Sequence, residues 1–242
     1  MTPTPLTPSA LPPGPGARPS RWRLAGILLA LKLALVVVLA GAGLRPSPGH
    51  AASEASPASA FAAFGRATQG DDDQIEPAAQ QFAQLAQARP GDPLMLAYAG
   101  ASEAMRATTT LLPWRKMQHA EDGLARLDKA LSLLQAGAHE GPGPRGTPVA
   151  LDVRFVAANT FLALPSFFNR QARGAQLLSE VLGSPLLARS PLPFQGSVWM
   201  RAAEQARSEQ RVDDARRWLQ QVVARGAPQA AQAQAQLKGL GA

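Results

Sequence analysis

The spacing of apolar residues between positions 117 and 134 constrains the fold of this chain more than any other feature. Apolar side chains recur there at alternating steps of three and four residues: Met117, Ala120, Leu124, Leu127, Leu131 and Leu134. This period places all of them on one face of an α-helix. Pro113 suits the first turn of such a helix, where a backbone donor would in any case lack a partner. We therefore predict a long amphipathic helix packed through one continuous apolar face.

The same periodicity extends over most of the chain beyond residue 70. Thr147 and Pro148 are typical of a cap and first turn, and the helix that they predict runs through Ala163. This helix is apolar on nearly all sides, so we expect it to be the most buried one. Alanine, leucine and glutamine dominate the composition and tyrosine occurs once, which favours helices over strands. Short connections such as RPGDP at 89–93 predict antiparallel hairpins. The predicted fold class is all-α, with stacked antiparallel helical hairpins behind one N-terminal hydrophobic segment.

Four segments divide the chain. Residues 1–20 are rich in proline and are predicted to be disordered. Residues 21–44 form a hydrophobic transmembrane anchor or signal segment. Residues 45–70 are rich in small residues and proline and are predicted to be a linker with room for one short helix. Residues 71–242 form the predicted α-helical domain.

The hydrophobic segment has two interpretations. The stretch 24–44 is interrupted only by Lys32, and a helix of this length spans about 30 Å, the thickness of a bilayer core. If Lys32 instead ends a basic leader, the apolar part is too short to span and suits a signal peptide cleaved near Ala51 and Ala52. Arg18, Arg21 and Arg23 precede the segment, whereas only Arg45 follows it closely. Both interpretations therefore predict that the folded domain lies outside the cytoplasm.

The high isoelectric point belongs to the targeting region and does not predict nucleic-acid binding. Residues 1–51 contain basic side chains and no acid, whereas the remainder holds 19 basic and 17 acidic residues. The acids outnumber the bases in 52–140, and the reverse holds in 141–242. A nucleic-acid-binding domain needs a dense basic patch. No such run exists here, so we expect no nucleic-acid partner.

Small and large residues recur with the spacing of a tetratricopeptide second helix, in which a small residue is followed by contacts four and seven positions later. The matching sets are Ala78, Phe82 and Leu85; Gly123, Leu127 and Ala130; Gly174, Leu178 and Val181; and Ala215, Leu219 and Val222. Their starts are 41 to 51 residues apart. The chain thus resembles a degenerate tetratricopeptide-like array with lengthened loops, over most of residues 72–236.

A narrower resemblance rests on the stretch DVRFVAANTFLALPSFFNR, residues 152–170. It is similar to an exported bacterial family of tetratricopeptide-like proteins that pairs an arginine-bearing helix with a leucine-proline corner, an aromatic residue and an arginine. Arg154, Leu164-Pro165, Phe168 and Arg170 hold these positions here. The family has no assigned activity, so the resemblance implies a fold and a location only.

Motifs for catalysis or metal binding are weak throughout. The run GPGPRG at 141–146 matches a dinucleotide fingerprint by letter, but two prolines remove amide donors and no strand precedes it, so a loop is predicted. The acidic run 70–76 lacks the spacing of a calcium loop and suits an aspartate cap with Glu76 in a first helical turn. His119 has no partner histidine one turn away and is expected to face solvent. The chain has no cysteine. We therefore predict no catalytic residue, no metal site and no cofactor.

Two groups of residues are candidates for partner binding. Trp114 and Arg115 lie at the start of a predicted helix, next to a proline, and are either a partner anchor or an edge filler. Phe167, Phe168 and Arg170 follow a proline that ends the buried helix. We expect one phenylalanine to fill the core and the other to lie on a concave edge beside the arginine, although a simple packed corner is the alternative.

These observations predict a non-catalytic, membrane-anchored or exported helical-repeat module that binds a protein partner in the cell envelope. One alternative is a helical domain that holds a small apolar ligand between helices. The alternative from another class is an envelope hydrolase, which would need a polar catalytic pocket. A pocket that contained Asp152, Arg154 and Asn159 together would favour that hydrolase.

Overall fold

The computed structural model describes residues 56–135 and 137–240, and this part of the chain is all-α. It has no β-strand. The α-helices, in chain order, are α1 Pro57–Thr68, α2 Ile75–Ala88, α3 Pro93–Thr109, α4 Pro113–Ser132, α5 Val149–Ala163, α6 Gln171–Gly183, α7 Leu192–Ser208, α8 Val212–Ala224 and α9 Ala230–Leu240. The prediction of an all-α fold is confirmed. None of the helices in the described part is long and apolar enough to cross a membrane. The predicted disordered segment 1–20 and hydrophobic segment 24–44 lie outside the described residues.

Proline and small polar residues set where several helices begin. Asp92 caps α3, because its carboxylate accepts from the backbone NH of Leu94 at 2.9 Å and of Met95 at 3.2 Å. Pro93 takes the first helical position. At α5 the residue at the N-cap differs from the predicted one. Pro148, and not Thr147, stands at the N-cap, and no side chain caps this helix within the described residues.

Consecutive helices pack in pairs. α1 lies against α2, α3 against α4, α5 against α6, and α7 against α8, with α9 packed on α8. α3 also packs on α2 and α5 and is thus the central helix of the first part of the chain. Every residue of the four predicted small-large sets is buried. These sets fall on α2, α4, α6 and α8, the second helix of each pair.

Two apolar clusters form the core. The larger one joins α1 to α6 and includes Val198 on α7, and the smaller one joins α7, α8 and α9 around Trp199, Leu219 and Val222. Helix α1 belongs to the larger cluster through Phe61 and Phe64, which lie three residues apart on one face. Residues 57–68 thus form a short helix within the predicted linker 45–70, and one face of this helix packs into the core.

The apolar face predicted for α4 is buried along only part of its length. Ala120, Leu124 and Leu127 are buried, and Leu131 is half-buried. Met117 remains 39% exposed, and Leu134 lies beyond the end of the helix. Periodicity identifies which face of a helix is apolar, but not the length over which a neighbouring helix covers that face. The contact along this face is therefore shorter than the continuous contact that was predicted.

Helices α3 and α4 approach each other through two glycines. A Cβ atom on Gly123 would lie 2.6 Å from the carbonyl oxygen of Gly100 and 2.8 Å from the backbone nitrogen of Ala104. Both atoms belong to the backbone, so no side-chain movement can relieve the overlap. The close spacing of the two helices therefore depends on glycine, which has no side chain, at positions 100 and 123.

We expect Gly123→Ala to destabilise the protein by about 1–3 kcal/mol, because the two helices must move apart. The control is Gly183→Ala, at the exposed end of α6, where nothing lies within 4 Å of the added Cβ. That change should be neutral or stabilising, since alanine favours a helix over glycine by about 0.5–1 kcal/mol. Denaturant unfolding followed by circular dichroism measures both. Equal stabilities of the two variants would contradict the close approach.

Candidate functional site

The connection between α3 and α4, together with the start of α4, carries the two most exposed large apolar side chains of the described residues. Leu111 is 90% exposed, Trp114 is 66% exposed, and Leu112 and Met117 are 38% and 39% exposed. We name residues 111–117 the apolar corner. Its shape follows from the sequence, because Pro113 starts α4 and Leu112 before it is held extended. The corner thus projects apolar side chains that the rest of the described chain does not cover.

Two cations lie within the apolar corner. Arg115 is exposed and Lys116 is half-buried. Neither forms an ion pair with any described residue. Their charges are therefore available to an acidic surface. Tryptophan and arginine are among the residue types enriched at the positions that dominate the energy of protein interfaces.

The second group of candidate residues is split between core and surface. Phe168 packs against the larger cluster, whereas Phe167 is 62% exposed, and their ring centroids are 4.5 Å apart. Arg170 is held by Asp128 on α4, with Nη2 2.8 Å from Oδ2, and its guanidinium lies 5.5 Å from the Phe161 ring centroid. Arg170 therefore links α6 to α4, and only Phe167 in this group is well exposed.

The two groups do not form one site. Asp128, which anchors Arg170, and Trp114 are 14 positions apart on α4. At a rise of 1.5 Å per residue, this corresponds to about 21 Å along the helix. The apolar corner and the Phe167 surface are therefore separate candidates.

A buried polar cluster that no sequence motif indicated connects two helices and a loop. Arg145, from the predicted loop at 141–146, places Nη2 2.9 Å from both carboxylate oxygens of Asp152 on α5. The hydroxyl of Tyr98 on α3 donates to Oδ1 of Asp152 at 2.9 Å and also accepts from Arg145. Burial raises the pKa of Tyr98 well above its ordinary value, opposed by Arg145 and reinforced by Asp152. Tyr98 therefore remains protonated and acts as a donor.

Aromatic rings surround this cluster. The rings of Phe61, Phe64 and Phe82 lie with centroids 4.8–5.0 Å from that of Tyr98. The guanidinium of Arg145 lies 4.6 Å from the Phe61 centroid and 5.0 Å from that of Tyr98, within the range of a cation–π contact. Residues 141–146 form a loop, as predicted. Arg145 in this loop has a structural role that the glycine pattern did not indicate.

Glu103 on α3 forms a second polar centre. Its Oε1 accepts from Nδ1 of His119 at 2.7 Å, and its Oε2 accepts from Nη1 of Arg126 at 2.9 Å. Arg106 lies 3.3 Å from Oε1 and also contacts Glu76 at 2.9 Å. The prediction that His119 faces solvent is therefore wrong, because this side chain is largely covered and joins α4 to α3.

The pKa of Glu103 reflects competing influences. Burial would raise it, but the hydrogen bonds from His119 and Arg126 and the charges of Arg126 and Arg106 outweigh burial and lower it. A carboxyl whose pKa is lowered by folding stabilises the folded state above its unfolded pKa. That contribution is lost as the pH falls through the lowered value. The centre therefore stabilises the α3–α4 pair at neutral pH.

A cavity of about 70 Å³ lies between α1, α3 and α5. Its walls are mainly apolar, from residues such as Phe64, Ile75, Ala104 and Leu164. Asn159 on α5 also lines it and is 2% exposed. Neither the Nδ2 nor the Oδ1 atom of Asn159 has a hydrogen-bond partner among the described residues.

The three polar residues of α5 that would have favoured a hydrolase are not together. Asp152 belongs to the Arg145 cluster, and Arg154 pairs with Glu180 on α6 at 3.4 Å. Only Asn159 lines the cavity. Within the described residues, no three His, Asp or Glu side chains are grouped so that they could hold a metal ion.

The acidic run ends in Glu76, which lies in the first turn of α2 as predicted. The predicted aspartate cap is not seen in the described structure, because no side-chain hydrogen bond from Asp71 caps the short helical turn Asp72–Gln74.

Comparisons of this chain with protein-family models, with characterised proteins and with solved structures give no match.

Proposed function

We propose that this chain is an exported, non-catalytic stack of antiparallel helical hairpins whose apolar corner docks on a protein partner in the bacterial cell envelope. The observation that carries the proposal is the exposure of both Leu111 and Trp114, three positions apart in the chain, where α4 begins. Placing such large apolar side chains in water costs free energy that a partner surface would recover. The occupant that suits this corner is an apolar pocket bordered by acidic residues, since Arg115 and Lys116 have no acidic partners within the described chain.

The repeat character of the stack is part of the same proposal. The four small-large sets lie on the second helices of the four pairs and are buried, as a degenerate tetratricopeptide-like array requires. Stacked hairpins generally act by binding and present extended surfaces to their partners. The α3–α4 connection, residues 110–112, places the apolar corner at one end of a pair, where a partner can reach it.

The proposed location rests on the sequence of residues 21–51. The apolar stretch 24–44, preceded by three arginines, suits an inner-membrane anchor with the helical domain on the periplasmic side. Release into the periplasm after cleavage near Ala51 and Ala52 is the alternative. Both arrangements present the apolar corner to other envelope proteins.

Site-specific photo-crosslinking of the full chain in its native host tests the docking proposal. A benzoylphenylalanine in place of Trp114 should give one discrete protein adduct. The matched control places the same group at Gln220, an exposed position on α8, and should give none. Adding Leu111→Asp should abolish the adduct, because a carboxylate cannot enter an apolar pocket without a large desolvation cost.

The cross-linked protein should then bind the purified chain directly. We expect Trp114→Ala to weaken this binding by about 30-fold or more, which corresponds to about 2 kcal/mol. Its melting temperature should stay unchanged, because Trp114 is largely exposed. Unchanged affinity in the Trp114→Ala variant, or adducts to lipid alone, would contradict a protein-docking corner.

A further inference from the structure

The cavity between α1, α3 and α5 has the features of a built ligand site. We propose that it binds a small neutral aliphatic molecule with an amide head group. The head would pair with the carboxamide of Asn159, and the alkyl chain would lie against the apolar walls. This site is independent of the apolar corner and does not rest on the docking proposal.

The carboxamide of Asn159 is the first reason. A buried amide ordinarily satisfies its donors and its acceptor, since an unpaired buried polar group costs free energy. Asn159 is 2% exposed, yet both of its polar atoms lack a partner among the described residues. Because this side chain lines the cavity, a molecule inside the cavity can supply both missing hydrogen bonds.

The hydroxyls of the cavity wall define the chemistry further. Thr68, Thr108 and Thr160 each donate to a backbone carbonyl within their own helix, at 2.8, 2.8 and 3.0 Å. Their hydroxyl oxygens therefore keep acceptor capacity only. Asn159 is then the donor that the wall offers, beside several acceptors. A primary amide, with one carbonyl acceptor and two NH donors, matches this balance.

The charge of the wall argues for a neutral ligand. Among the described residues that line the cavity, none is Lys, Arg or His, and Asp72 carries a carboxylate at the exposed edge. An anionic head group would meet no cation inside the cavity and a like charge at its mouth. Fatty carboxylates and phosphates are therefore poor candidates.

The size of the cavity limits the ligand. Its volume of about 70 Å³ is several times the ~10–15 Å³ that one water molecule needs, and about half of a ~150 Å³ cavity that holds benzene. On that scale the enclosed space holds about three heavy atoms, which is the size of an amide head group. The alkyl chain would then extend along the apolar walls towards Gly70 and Asp72, which are exposed.

Calorimetric titration of the full chain with pentanamide tests the proposal. We expect a dissociation constant between about 10 µM and 1 mM, from the affinity per heavy atom that very small ligands reach. Pentanoate has the same shape and a negative charge at neutral pH, so it should bind at least about tenfold more weakly. Absence of pentanamide binding up to about 10 mM, or equal affinity for pentanoate, would overturn the proposal.

Two variants separate the head-group contact from the fit of the chain. Asn159→Leu removes the carboxamide at similar volume and should weaken pentanamide binding by at least about tenfold. Its melting temperature should not fall, because the replaced amide is unpaired. Ala163→Leu keeps Asn159 but fills the cavity from a half-buried wall position, and should abolish binding. Binding that survives in both variants would place the ligand elsewhere and refute the assignment.

Discussion

Arg145→Met should destabilise the protein by about 3–5 kcal/mol, the largest effect that we expect from a single substitution. The carboxylate of Asp152 is 3% exposed, and both of its oxygens lie 2.9 Å from the Arg145 guanidinium. Methionine keeps much of the apolar length but leaves this carboxylate buried without its cation. The hydroxyl of Tyr98 alone cannot compensate a full charge. Denaturant unfolding of the full chain, followed by circular dichroism, gives the free-energy change.

A double variant distinguishes the lost pairing from lost packing. Arg145→Met with Asp152→Leu removes both charges and should recover a large part of the stability, since an apolar pair can replace a buried ion pair at little cost. Arg115→Met, at an exposed arginine without an ion pair in the described structure, is the control and should change stability by less than about 0.5 kcal/mol. A loss at Arg145 no greater than that at Arg115 would show that the cluster contributes nothing.

Leu127→Ala is expected to cost about 2–5 kcal/mol. Leu127 is 0% exposed in the middle of α4 and lies close to Gly100 of α3, where an added Cβ would be 3.0 Å from the leucine Cγ. Truncation removes several buried carbons at the point where the two helices approach most closely. The helices are held apart by their own backbones, so they cannot close the gap. Chemical denaturation measures the loss.

Leu111→Ala is the matched control, because it makes the same chemical change at a position that is 90% exposed. Its stability should differ from that of the parent by less than about 0.5 kcal/mol. The two leucines lie on the same hairpin, so the comparison isolates burial. A loss at Leu127 as small as that at Leu111 would mean that the α4 face is not a core face.

Periodicity predicted the helices well because burial in this fold is repeated locally. The small-large sets identified the second helix of each pair, and Leu127 was correctly placed in the core. The exposure of Met117 was not predictable in the same way. The apolar pattern includes this residue, but it does not indicate that the neighbouring helices leave the start of α4 uncovered.

The polar clusters and the cavity depend on contacts between distant positions. Tyr98 and Arg145 are 47 residues apart, and Glu103 and Arg126 are 23 apart, so no local pattern brings them together. The one tyrosine of the sequence and the aspartate inside the apolar helix α5 both indicated a buried polar contact. Their partner Arg145, however, lies in a glycine-proline loop. Asn159 was visible as a polar residue in the same helix. Its lack of a partner depends on the side chains around it, which sequence alone does not place.

The contact of Arg145 with Phe61 also affects the order in which the chain can fold. The rings of Phe61, Phe64 and Phe82 come from neighbouring helices and can collapse soon after these segments are made. The guanidinium that closes the cluster arrives only when the chain has extended through the loop after α4. Contacts across such a long stretch form late, because closing the intervening loop costs entropy. Until then, helix α1 is held by its apolar contacts and by the hydrogen bond from Ser59 to Gln81 on α2. A chain truncated before residue 145 would lack this guanidinium, and its aromatic cluster would be more accessible to solvent.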